Sequence, residues 1–323
     1  MKCSIVKVCI ILIAYCMPTA VFCVQQQSQK IRIITSTSNH PEFIAYQDKA
    51  FKKFLKDEYE FIVFNDAFDA EIANEIDRVC SLLHIACIRV PQENRIVGTV
   101  FSWGSYRHGQ AIEYMMKTVG FDYDGIVVLI DSDLFPIKNF CVTDFLAGYD
   151  CAGLRMGPQG GTMDYMWPGL LFLRMNALPN KETMSFLPAD KEWLDTGGSF
   201  YHYLHKNSDV KKLFFKQKTR FKLDTMMRPY YLYDAPYRKL YIHCPECIEK
   251  ESCIHTGRIL RHFGFRDDII QQILLKKIPG ESEFLLGDTF FHLSNSSGYH
   301  KIWQVQEREA RMRNFMNYIL SDM

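Results

Sequence analysis

Six consecutive residues, Gly125-Ile126-Val127-Val128-Leu129-Ile130, carry no polar side chain, and the run stops abruptly at Asp131-Ser132-Asp133. A strand that is apolar at every position has both faces covered, the usual state of a strand in a parallel sheet with helices above and below. The preceding chain agrees. Ile31–Ile34, Glu60–Phe64 and Ile85–Val90 read as short strands, and helical spacing over Pro41–Leu55, Ala70–Leu83 and His108–Val119 separates them. This alternation predicts an α/β fold with a mostly parallel, Rossmann-like sheet and helices on both faces. Ligands of such sheets lie outside the carboxyl ends of the strands, and each of these strands ends in polar residues.

Beyond Phe140 the pattern loosens. Tyr149–Met156 and Gly169–Met175 read as further strands, and Lys191–Lys206 contains a helix. Lys211–Lys222 is basic and aromatic, and residues 230–264, rich in Tyr, Cys and His, read as an irregular insertion. Asp267–Lys277 is a short helix and Trp303–Leu320 a longer, charged one. No linker divides the chain, so residues 30–305 are expected to form one elaborated domain, followed by a C-terminal helix over 306–323. The 323 residues are 48% hydrophobic, enough for a large core and against disorder. A net charge of +1 excludes nucleic acid as a bulk electrostatic target.

The first 24 residues have the form of a leader: Lys2 and Lys7, an apolar run from Val8 to Val24, then a polar segment over 25–29. This is a secretory signal peptide or, uncleaved, a signal anchor that would attach the chain to a membrane. It places the protein in the secretory pathway or outside the cell. Four of the eleven cysteines fall in the leader. Cys80 and Cys87 suit either a disulfide or two buried thiols. Cys244, Cys247, Cys253 and His255 are spaced either for disulfides or for a structural Zn2+.

Asp131 and Asp133 sit two apart at the end of a strand, so they emerge on the same side. Paired carboxylates are hard oxygen ligands suited to Mn2+ or Mg2+, which bind few protein groups and keep places for phosphate oxygens. Such an ion neutralises the charge of a departing diphosphate. Two solvated loop aspartates are the plain alternative, but the apolar strand before them and Leu134-Phe135-Pro136 after them favour a site.

The stretch from Ile126 to Ile137 resembles the DxD segment of GT-A-fold glycosyltransferases. Three later pieces are similar, in order, to glycosyltransferase family 8, the glycogenin-like group. They are Met166–Leu173, where Gly169 matches, Leu194-Asp195-Thr196-Gly197, and Gly298–Trp303 with its Gly, Lys and Trp. The resemblance implies a GT-A-like domain that transfers a sugar from a nucleoside-diphosphate sugar to a glycan, protein or lipid hydroxyl. It implies Thr35, Ser36 and Asp66 at the nucleotide, and Asp131, Ser132, Asp133 and Lys301 at the metal and diphosphate. Asp195 is implied as the acceptor-side carboxylate, orienting or deprotonating the hydroxyl. Where the family pattern has its metal-binding His, this chain has Asn295, so the third ligand is expected to be His292, with His300 as the alternative.

Other readings come from the residues themselves. Arg107, His108, Gly109 and Gln110 are expected to open a helix, a setting for a diphosphate, with Gly109 allowing close backbone approach. Asn65-Asp66 also reads as a helix N-cap before Ala70. Tyr230, Tyr231, Tyr233, Tyr237 and Tyr241 suggest an acceptor surface or plain packing. The rival functions are a haloacid-dehalogenase-type phosphatase, argued against by the late position of the DxD and by Leu134, a nucleotidyltransferase, and a secreted carbohydrate-binding protein of the same fold.

Overall fold

The structure is a computed structural model. It describes residues 30–93, 103–157, 163–192, 194–215, 218–222, 230–234, 238–242, 257–258, 260–262, 264–275, 277–279, 282–293 and 302–321. The leader, Cys244, Cys247, Cys253, His255, His300 and Lys301 lie outside them. Among the described residues no helix is long and apolar enough to cross a membrane.

Two sheets organise the chain. The first has strands β1 (Ile31–Thr37), β2 (Tyr59–Asn65), β3 (Ala86–Arg89), β4 (Ile126–Ile130), β6 (Cys151–Met156), β7 (Tyr165–Arg174) and β8 (Lys212–Phe215). Their order is β3-β2-β1-β4-β7-β6-β8. Only β7 runs antiparallel to its neighbours. This is the α/β, mostly parallel sheet with helices on both faces expected from the sequence.

Helices α1 (Glu42–Phe54) and α2 (Ala70–Leu83) cover one face, and α3 (Trp103–Met115) and α5 (Phe200–Lys206) the other; α4 (Val142–Phe145) is a single turn. β4 shows why its sequence is apolar throughout. Ile126, Val128 and Ile130 join the core under α1 and α2, while Val127 and Leu129 join the core under α3 and α5. The N-cap of α2 is Asp69, whose carboxylate accepts from the amides of Glu71 and Ile72, not Asn65 or Asp66.

The second sheet was not foreseen. It takes β5 (Leu134–Pro136), β9 (Lys218–Lys222), β10 (Tyr230–Asp234), β11 (Arg238–Ile242), β12 (Ser282–Leu285) and β13 (Phe290–Leu293), in the order β11-β10-β9-β12-β13-β5. All its pairings are antiparallel. The segment read as irregular therefore contributes two regular strands. Phe135, Phe284, Phe291 and Leu293 pack one face of this sheet onto α1, α6 (Asp267–Leu274) and α7 (Ile302–Leu320). Helix α1 serves both cores, with Ile44 and Phe51 in one and Phe43, Ala50 and Phe54 in the other.

Candidate metal and donor site

Strand β4 belongs to the first sheet and β5 to the second, and only Asp131-Ser132-Asp133 lies between them. The tripeptide is the crossing point of the two sheets. Its backbone is pinned from three sides. The Asp131 amide donates to the Gly169 carbonyl, the Leu293 amide donates to the Asp133 carbonyl, and buried Gln47 on α1 donates to the carbonyls of Asp131 and Leu134 at 2.8 and 3.0 Å. Such bonds fix where the two carboxylates stand.

His292 completes the set. It pairs in register with Leu134, the residue after Asp133. Its Nε2 lies 3.3 Å from Asp133 Oδ1, and its Nδ1 lies 2.9 Å from Glu283 Oε2 on the adjacent strand. Among the described residues, Asp131, Asp133 and His292 offer three ligand atoms within 4.8 Å of one another. Ions of this size hold each ligand at about 2.1 Å, so donors this close together can be drawn onto one cation. The donors are two carboxylates and an imidazole whose far nitrogen is already engaged by a carboxylate, a common second-shell arrangement at metal sites. The residues fit Mn2+ or Mg2+.

The electrostatics agree. Burial alone lowers the pKa of His292, but Asp133 and Glu283 overcome it and raise it to about 10. The pocket therefore favours positive charge, and a cation held there would take the place of that proton. His108 behaves alike. Burial opposes its charge, yet Asp131, 3.2 Å from its Nε2, together with Asp66 and Asp133 raises its pKa. Gly169 lies against the other side of Asp131. A Cβ there would fall 2.4 Å from Asp131 Oδ2 and 2.2 Å from Trp167 Cζ2.

The remaining expected residues divide. Asp66 and Arg107, expected at the base and the diphosphate, form one ion pair, 5% and 12% exposed, with Arg107 also donating to the Asp66 carbonyl. Helix α3 begins at Trp103, so Arg107, His108 and Gln110 lie in its second turn, where backbone amides are spent within the helix. The expected helix-start anion site is thus corrected: α3 offers side chains here. Gly109 makes a close approach, but to the protein itself, since a Cβ would meet the Phe186 carbonyl at 2.7 Å.

Ser36 and Thr35 alternate on β1. Thr35 follows Ile31 and Ile33 onto the face under α1 and α2 and is fully buried, so its side chain is directed away from α3; Ser36 takes the α3 side with Asp131. Asp195 is exposed and accepts from the Thr196 amide at 2.7 Å. Its turn packs beside the site: Thr196 Oγ1 donates to the Ser105 carbonyl on α3, and Gly197, at φ +83°, abuts Pro168 next to Gly169. Ser132 is half-buried between the two ligands. Gln47 and Glu283 were not identified as site residues by sequence, and His108, read only as part of a helix start, stands against Asp131. Cys80 and Cys87 are free thiols.

No protein-family model matches the chain, and no curated protein matches it. Solved structures do resemble it. A mannosyltransferase from Pyrobaculum calidifontis, in complex with GDP-Man and Mn2+, is similar over 92% of this chain and 77% of its own, at 12% identity and a TM-score of 0.38. Core-mannan synthase A from Aspergillus fumigatus, in an Mn/GDP form, is similar over 68% and 78%, at 11% identity and 0.36. Glucosyl-3-phosphoglycerate synthase from Mycobacterium tuberculosis is similar over 58% and 70%, at 15% identity and 0.35.

Proposed function

We propose that this protein is a metal-dependent glycosyltransferase that uses a nucleoside-diphosphate sugar. The observation that carries the reading is the convergence of Asp131, Asp133 and His292 where the two sheets meet, outside the carboxyl end of β4. A bound Mn2+ or Mg2+ would supply Lewis-acid stabilisation of the leaving diphosphate. The chain's own residues do the rest. Asp131 and Asp133 hold the site's negative charge, and Gln47 and the Gly169 carbonyl fix the backbone that presents them. His108 adds a cationic donor beside Asp131 for phosphate oxygens. Ser36 and the Asp66–Arg107 pair line the nucleotide side.

Transfer breaks the bond from the anomeric carbon to the diphosphate oxygen and makes one to the acceptor oxygen. The acceptor proton leaves with that step, and Asp195 is assigned as its acceptor. Within the fold, the family 8 resemblance supports the order of the pieces, whereas the geometry supports His292 in place of that family's metal histidine. The leader supports a secretory-pathway location, cleaved or anchored.

The test is nucleoside diphosphate release from a panel of UDP- and GDP-sugars with Mn2+. One donor should be turned over, and the Asp131→Ala/Asp133→Ala variant and chelator should each abolish release. Pyrophosphate release from nucleoside triphosphate and sugar phosphate would point to nucleotidyl transfer instead. Absence of both turnover and Mn2+-dependent nucleotide binding would leave a carbohydrate-binding protein.

A further inference from the structure

Strand β7 changes phase beside the candidate metal site. Leu173 and Leu171 face the core under α3 and α5, and Phe172 and Leu170 face the core under α1 and α2. Unbroken alternation would send Trp167 in with Leu171. Instead Met166 takes that side, and Trp167 packs against the core under α1 and α2. The cause is a bulge. β6 pairs Gly153 with Leu171 and then Leu154 with Trp167, so Pro168, Gly169 and Leu170 have no partner on β6. On the other edge Leu170 still pairs with Ile130 of β4, and the Gly169 carbonyl still accepts from the Asp131 amide. Such an insertion turns the side chains beyond it to the opposite face.

The turned residue lands on the site. The Trp167 ring lies 5.1 Å from the ring of His292, tilted by 53°. The point a Gly169 Cβ would occupy is 2.2 Å from Trp167 Cζ2 and 2.4 Å from Asp131 Oδ2, so indole and carboxylate meet across the glycine. Trp167 is half-buried, its indole N–H is open to solvent, and among the described residues nothing accepts from it. A packed ring with a free N–H suits a ligand that is apolar on one side and hydroxylated on another, as a pyranose is. The surroundings agree. His108 approaches Asp131 from α3 and is assigned to the diphosphate, whereas Pro168, next to Trp167, is abutted by Gly197 of the Asp195 turn. The indole therefore stands on the side of the ligands that leads to the acceptor carboxylate, where the sugar in transit must lie. We infer that Trp167 binds the sugar of the donor, its N–H donating to a sugar oxygen and its ring packing against the pyranose. The inference rests on the transferase reading and deepens it.

Calorimetry on the full-length protein with Mn2+ tests it by comparing UDP and GDP with UDP-glucose, UDP-galactose and GDP-mannose. Trp167→Phe keeps a ring and removes the N–H. In that variant the nucleotide sugar that the wild type binds should bind about tenfold more weakly, while Mn2+ alone and the matching nucleoside diphosphate stay within about twofold. An equal loss for Mn2+ would make Trp167 a support for His292, and an equal loss for the nucleoside diphosphate would make it a phosphate contact. Either result overturns the inference, as does unchanged binding of all three. If Trp167→Phe does not fold, indole N–H signals in the NMR spectrum of the Trp193→Phe protein take its place. One signal should move on adding the nucleotide sugar and stay fixed with the nucleoside diphosphate, and a spectrum without such a signal overturns the inference. Failure of the wild type to bind any of these nucleotides with Mn2+ would instead overturn the transferase reading beneath it.

Discussion

At the scale of single residues the site depends on a missing atom and on a supporting carboxylate. Gly169 leaves room for Asp131 Oδ2, with only 2.4 Å to where a Cβ would be. Gly169→Ala should therefore push the Asp131 carboxylate aside and lower Mn2+ affinity at least about tenfold, with the circular dichroism spectrum retained; a metal titration reads this directly. Glu283 never needs to touch the cation to matter, because its 2.9 Å contact with Nδ1 orients the His292 ring. Glu283→Ala should weaken Mn2+ binding by about 10–100-fold, the usual cost of losing such a partner. Wild-type affinity in that variant would assign Glu283 a purely structural role. Asp131 and Asp133 were legible in the sequence because their pairing is local and follows an unmistakable strand. Glu283 was not, because what joins it to His292 is strand register, which no spacing along the chain displays. His292 was named through a departure from a resembled pattern, and β13–β5 pairing supplies the physical reason for it.

At the scale of elements, α2 is tied to the sheet by one carboxylate. Asp77 accepts from Asn65 on β2 and from Arg89 on β3, each at 2.7 Å. Burial works against its charge, but the bonds from Asn65, Arg89 and Cys87 and the charge of Arg89 hold its pKa below the ordinary value. A depressed folded-state pKa contributes stability above the unfolded value, about 3.9, and that stability is lost as pH falls through the lower folded value. Asp77→Asn should accordingly flatten the acid limb of stability against pH below about pH 4, with little change in slope near neutrality; urea melts across that range measure it. The strands and helices of the first sheet were readable from periodicity because each buries a defined face. The second sheet was hidden because β9, β10 and β11 are short and rich in tyrosine and lysine, and because β9 joins β12, and β13 joins β5, across long stretches of chain. The start of α3 was placed too late because Gly104 and Ser105, weak helix formers, obscure the helical signal of the turn before Arg107.

At the scale of the whole molecule, the candidate metal site lies where the two sheets meet. A ligand that binds only the folded state stabilises it, by about 2.7 kcal/mol when its free concentration is a hundred times the dissociation constant. Saturating Mn2+ should raise the melting temperature by several degrees, chelator should reverse the rise, and the Asp131→Ala/Asp133→Ala variant should show none. An unchanged melting temperature in the wild type would argue against a cation at this crossing.

The position of the tripeptide also has a consequence in time. Two of the three ligands are synthesised at residues 131 and 133, but the third arrives only at 292, on a strand that must dock against β5. A nascent chain that has completed the first sheet possesses carboxylates without their histidine. If the three residues hold a cation as proposed, metal competence is among the last properties this polypeptide acquires, and a chain released before β13 is made should bind no Mn2+, however well its first sheet has folded.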